Sequence, residues 1–203
     1  MTTSAPRLGE PWPVELMNTV WADRDGVHDT LEDPEAARAW LESAAAGIGG
    51  PTPGSKDGRS GRDPLPALRT LRNALRRLAA QACGDTRTAW TSPTPDADRA
   101  IADLNGAVAA APSWSTLRRE EGGGLVRETR TGGPPALAVV SLLAEEGVDL
   151  FAGPRAEDLR ACEAPGCVLY FVKAHPRREW CSSGCGNRAR VARHYRRHHP
   201  GEA

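Results

Sequence analysis

The residues best suited to chemistry are four cysteines in the last quarter of the chain, spaced Cys162-x4-Cys167-x13-Cys181-x3-Cys185. Two close pairs joined by a short loop match the needs of one tetrahedral zinc ion. Each pair comes off a tight turn, and the residues between suffice for a strand to leave the metal and return. Four thiolates close the coordination shell, whereas a catalytic zinc keeps a position for water and draws on His, Asp or Glu, so the expected ion is structural. Disulfides are the alternative; no basic-then-apolar leader is recognisable in the sequence, which favours reduced thiols on a metal. His175 lies between the pairs but is not needed as a ligand. The fifth cysteine, Cys83, closes a helical stretch and reads as a small buried hydrophobe. A segment this short depends on its metal to fold.

Charge is concentrated around these ligands. Over the whole chain 26 basic residues balance 26 acidic ones, yet from Lys173 to His199 the lysines and arginines face Glu179 alone, which makes the C-terminus a basic module. Cys185 opens Gly186-Asn187-Arg188-Ala189-Arg190, so the metal should fix the start and direction of a helix. On it Arg188, Val191, Ala192 and Tyr195 share a face expected to pack on the finger, and Gly186, Arg190, Arg193 and Arg197 share the opposite one. An arginine row of this kind can pair with phosphates and with guanine edges in a major groove. Lys173, Arg177 and Arg178 from the loop and Arg196 from the helix end complete the expected nucleic-acid-binding set. Asn187 and Arg188, next to a ligand, are expected to brace the zinc knuckle. Tyr170 and Phe171 read as finger core, with base stacking the alternative.

The elements that must carry this module are mainly helices. Leu16, Met17, Val20 and Trp21 suggest a short first helix over 13–21; Asp33 and Pro34 cap a second one, carrying Ala37, Trp40, Leu41 and Ala44. Residues 47–63, with six glycines and two prolines, read as a mobile loop. A long helix follows from about Leu65 to Cys83, with Leu68, Leu71, Leu75 and Leu78 inside and Arg69, Arg72, Arg76 and Arg77 outside. That arginine stripe reads as a solvated face, with a ligand-facing surface as the alternative. A further helix over about 95–110, a hairpin around Gly122-Gly123-Gly124 and a last helix from Pro134 to near Gly153 complete a domain of residues 1–153. The zinc module then occupies 154–203. The fold class is thus mainly α: a helical domain with a small β-hairpin, plus short strands followed by a basic helix.

Arg178-Glu-Trp-Cys181 and Cys185-Gly-Asn-Arg-Ala-Arg-Val-Ala-Arg193, with the cysteine spacing, resemble the CGNR zinc finger. Glu15-Leu-Met-Asn-Thr-Val20, the Leu31 to Leu41 region and Leu68-Arg-Thr-Leu-Arg-Asn-Ala-Leu-Arg76 resemble the ABATE domain that accompanies this finger, in a family named for stress-induced transcription regulation. The resemblance implies a helical domain joined to a small zinc domain that binds DNA.

Taken together, the leading expectation is a cytoplasmic, zinc-dependent DNA-binding transcription regulator whose helical domain senses a small-molecule effector or forms a homodimer. Asn18, a polar residue within an apolar helix, is the expected pocket residue, with a backbone-satisfying role as the alternative. A finger that binds RNA or protein is the second reading. An enzyme acting in the N-terminal pocket is the third and least supported, since His28 near Asp25 and Asp29 forms no catalytic constellation. No apolar stretch reaches the roughly 20 residues a membrane span requires.

Overall fold

The computed structural model describes residues 5–51 and 63–198. Most of the expected 47–63 loop therefore lies outside the described residues. The chain runs α1 (Trp12–Met17), a hairpin of β1 (Val20–Asp23) and β2 (Gly26–Asp29), then α2 (Pro34–Gly47), α3 (Leu65–Ala82) and α4 (Ala97–Ala110). A second hairpin of β3 (Ser113–Arg119) and β4 (Leu125–Thr131) leads to α5 (Pro135–Ala152), a third pairs β5 (Leu159–Ala161) with β6 (Tyr170–Val172), and α6 (Ser183–His198) ends the chain. All three hairpins are antiparallel.

Local chemistry sets the helix starts. Asp33 accepts from the Glu35 amide ahead of Pro34, Asp63 accepts from the Leu65 amide, and Asp96 accepts from the Arg99 amide. Each satisfies one of the amides that a helix start leaves unpaired. α3 buries Leu65, Leu68, Leu71 and Leu75 against α4 and α5, each side chain contributing about 2 kcal/mol of transfer free energy. Gly147 allows the close crossing: a Cβ there would stand 2.8 Å from Leu75 Cδ2.

Two expectations about the helices need correction. The first helix stops at Met17, and Val20 and Trp21 begin β1 instead. The reason is the Asn18-Thr19 pair, whose polar groups leave the helical pattern: the Thr19 hydroxyl donates back to the Leu16 carbonyl, and Asn18 pairs with a distant strand. The second correction concerns the arginine stripe of α3. Arg72 and Arg76 are 4% and 2% exposed, so this is neither a solvated nor a ligand-facing face. Arg69 and Arg72 hold the Leu31 carbonyl and Asp29 after and within the first hairpin, and Arg76 is where the C-terminal segment docks.

That docking joins the two expected domains through one core. Leu159, Tyr170 and Val172 of the third hairpin belong to the same apolar cluster as α1, α2, α3 and α5. A second, smaller cluster gathers Trp21, Leu169 and Phe171 around the four cysteines. No helix among the described residues is long and apolar enough to cross a membrane.

Candidate metal centre and basic helix

The sequence between the first cysteine pair, Cys162-Glu-Ala-Pro-Gly166-Cys167, is a tight turn. Gly166 takes φ +70°, a left-handed conformation that disfavours other residues, and the Cys167 amide donates to the Ala164 carbonyl at 2.9 Å. The second pair is built by a helix start. The Ser182 hydroxyl accepts from the Cys185 amide, so Ser182 caps α6 and Cys185 sits in its first turn, where the helix dipole favours a thiolate.

These two turns bring the four sulfurs within 4.8 Å of one another, all buried. Three of the separations are 3.4, 3.8 and 3.9 Å. Zinc–sulfur bonds of about 2.3 Å in a tetrahedron place sulfurs about 3.8 Å apart, so the donor set fits one zinc ion. The thiols also need a cation. Hydrogen bonds from Cys167 and Cys181 push the Cys162 thiol down, and that same sharing pushes Cys167 and Cys181 up; a divalent metal removes the conflict by binding all four as thiolates. Among the described residues no disulfide forms, and Cys83 stands apart, donating to the Leu159 carbonyl while burial raises its pKa. His175 is exposed and accepts from the Arg177 amide, outside the cluster.

The helical domain supplies much of the shell around this centre. Arg87 donates from one nitrogen to the carbonyls of Cys162, Cys167 and Leu169 at 3.0–3.1 Å, and is held by Asp85, which also accepts from the Tyr170 hydroxyl. Burial raises the Asp85 pKa, but the hydrogen bonds from Arg87 and Tyr170 outweigh it and hold the group at about 2. Arg76 donates to the carbonyls of Met17 and Val168 and lies between the rings of Trp90 and Tyr170. Burial lowers its pKa to about 10, still charged at neutral pH. The sequence reading missed Asp85, Arg87 and Trp90 altogether, because the 84–96 loop carries no periodicity and its partners lie some 75 residues further on.

The family follows from these two halves. The sequence profile of the ABATE family, described as "Putative stress-induced transcription regulator", matches residues 10–154, more than half of the chain. The chain belongs to the ABATE family. The CGNR zinc finger profile matches residues 159–198 and contains all four cysteines. No curated protein matches the chain in sequence.

The expected site residues meet different fates on this scaffold. Asn18 is 1% exposed and pairs with Tyr170 through both its amide and its carbonyl, at 2.9 Å each. It completes the edge of β6 and is not among the residues lining the cavity walled by Trp21, Trp40 and Trp90, so the backbone-satisfying role replaces the expected pocket role. Arg178 is a second correction. Its guanidinium pairs with Glu10, donates to the carbonyls of Val172, Trp180 and Cys181, and stacks on Phe171, so its donors are spent within the protein. Tyr170 and Phe171 are 2% and 1% exposed and have no free face for a base.

The orientation of α6 also differs from expectation. Cys185, Gly186 and Ala189 face the finger, with Gly186 against Trp180, while Val191 and Tyr195 are 61% and 51% exposed. The cysteine cluster imposes this: with the sulfur of Cys185 pointing inward to the other three, the small residues beside it on the helix surface pack and the larger ones turn out. Arg190, Arg193 and Arg197 continue the inward line beyond the end of the finger and are exposed, as is Arg196. Among the described residues none of these four makes an ion pair. Arg193 shares a hollow of about 370 Å³ with Lys173, Arg160 and Arg178 and with the carboxylates Glu163 and Glu179; Arg177 is exposed on the loop and Asn187 on α6. Arg188 donates to the Cys185 sulfur at 3.1 Å.

Proposed function

We propose that the protein is a zinc-dependent, DNA-binding transcription regulator in which α6 contacts the nucleic acid and the ABATE domain holds it in place. The observation that carries this reading is the state of α6. It starts on a candidate metal ligand, has no acidic residue, and exposes four arginines that form no ion pair among the described residues. Keeping such a row unpaired raises self-repulsion, which binding to a polyanion relieves through counterion release. Arg160, absent from the expected set, lies with Lys173 and Arg193 around a hollow that Glu163 and Glu179 also line, so the exposed row of α6 rather than this hollow supports a phosphate contact. The zinc has a structural role: it fixes the first turn of α6 and leaves the arginines to make the contacts.

A single helix of this size reads few base pairs, so specific recognition by two copies on a two-fold site belongs to the proposal. The test is selection of bound sequences from random duplex DNA by zinc-loaded protein, with single-stranded RNA as competitor. Enrichment of a motif, palindromic for a dimer, is the expected result. Unselective binding, or displacement by RNA at equal concentration, would support the RNA-binding reading instead.

A further inference from the structure

A cavity of about 950 Å³ opens between the β1–β2 hairpin, the start of α2 and the 84–96 loop. Trp21 in its wall also packs in the cluster around the four cysteines, while Asn18 is not among its lining residues. Its walls are three indoles, Trp21, Trp40 and Trp90, with the His28 ring stacked on Trp21 at a centroid distance of 4.4 Å. Three of the chain's six tryptophans thus line one concavity, where burial in the core would otherwise hide them. Two of the lining residues, Trp21 and Thr30, each hold a buried polar atom, Nε1 and Oγ1, without a hydrogen-bond partner. Trp21 is itself 6% exposed. Both atoms are closed to solvent, as are the orphan Nε atoms of Arg76 and Arg77 outside the lining, so they sit behind the cavity wall and do not face into it.

The charges on the lining choose among ligands. Four carboxylates border the cavity. Two of them are already occupied: Asp29 by Arg72, and Glu15 by the amides of Leu8 and Glu10. Glu32 and Asp33 sit at the rim; Asp33 uses one oxygen as the α2 cap, and Glu32 makes no ion pair among the described residues. The lining's strong cation, Arg7, is bonded to the Ser43 hydroxyl and stacked over Trp12. An anion entering here would meet unbalanced carboxylates. One face of Trp21 is covered by His28 and one of Trp90 by Arg76; the indole surface that remains attracts an organic cation through the ring quadrupole, and the rim carboxylates can pair with its head.

We propose that this cavity binds a small organic ammonium ion carrying an aromatic or alkyl body. The proposal deepens the regulator reading by giving the ABATE domain a ligand class. One wall also touches the finger's support: Trp90 lies over Arg76, whose guanidinium holds the Val168 carbonyl next to Cys167.

The test uses the zinc-loaded full chain and does not involve DNA, so its failure and that of DNA binding are told apart. Tryptophan fluorescence is titrated with benzyltrimethylammonium and 2-phenylethylammonium, and at matched ionic strength with the near-isosteric 3-phenylpropionate and 2-phenylethanol. The expected result is saturable quenching or shift with both cations, with the anion and the neutral alcohol at least tenfold weaker. Glu32→Gln and Trp40→Leu should each weaken the cations several-fold while zinc content stays at one per chain. No saturable response to either cation, equal affinity for the carboxylate or the alcohol, or unchanged cation affinity in both variants would overturn the proposal.

Discussion

Two helices of this protein carry arginine rows that look alike in sequence and end in opposite environments. On α3, Arg72 and Arg76 are buried, one paired with Asp29 and the other spanning carbonyls from α1 and from the finger. On α6, Arg190, Arg193, Arg196 and Arg197 stand in solvent with no acidic partner among the described residues. The spacing on the two helices is the same, so the difference lies in what each helix faces. α3 meets chain ends and a turn whose carbonyls lack partners, and a guanidinium with five donors can satisfy several at once. α6 runs past the edge of its finger, and its arginines there meet no acidic partner among the described residues. A cationic stripe is therefore structural where the fold supplies orphan acceptors, and available for a ligand where it does not.

The contrast can be tested from its strongest element downward. Removing zinc with a chelator, or Cys181→Ser, should abolish the helical signal of α6, because the turns around the sulfurs have no other closure. It should also lower the melting temperature of the ABATE domain, since Leu159, Tyr170 and Val172 lie in that domain's core. Circular dichroism melts with and without metal check this. Two independent transitions, as the sequence alone suggests, would show that the shared core contributes little.

The next effect is that of the α3 row. Arg76→Ala leaves the carbonyls of Met17 and Val168 buried without a donor and should cost about 3 kcal/mol of unfolding free energy. Chemical denaturation of the zinc-loaded protein measures it. Smaller still is the contribution of the Asp85–Arg87 pair. Asp85 titrates at about 2 in the fold against 3.8 unperturbed. Its stabilisation is therefore complete above pH 4 and is lost as the pH falls towards 2. Asp85→Asn should remove it at pH 7, on the order of 1 kcal/mol after allowing for solvent screening, and should speed zinc loss to a chelator by releasing Arg87 from the knuckle carbonyls.

How much of this was legible in the sequence depended on whether the signal was local. The cysteine spacing, the cap at Asp33 and the β3–β4 hairpin around Gly122-Gly123-Gly124 are written within a few residues, and each element appears where its pattern places it. Periodicity misled at the first helix, where Val20 and Trp21 keep helical spacing with Leu16 and Met17 but extend as a strand once Asn18 bonds to β6. The buried role of Arg76, the Arg87 contacts and the Glu10–Arg178 pair join positions scores of residues apart. Nothing in a window of ten residues announces them. The facing of α6 was misjudged because large apolar residues were assigned inward, when the ligand Cys185 fixes the rotation and leaves Val191 and Tyr195 outside.

The central claim is that the α6 row is free to bind nucleic acid while the α3 row is not, and the salt dependence of DNA affinity addresses it most directly. Affinity of zinc-loaded protein for duplex DNA is measured across a range of salt concentrations for the parent and for the variant with Arg190, Arg193 and Arg197 replaced by Ala. The variant should keep its zinc and its melting temperature, bind more weakly, and show a slope of log affinity against log salt shallower by about 2 to 3, one phosphate contact being lost per arginine. Equal affinity and an unchanged slope would mean that the row is a solvated face, and that α6 does not contact DNA.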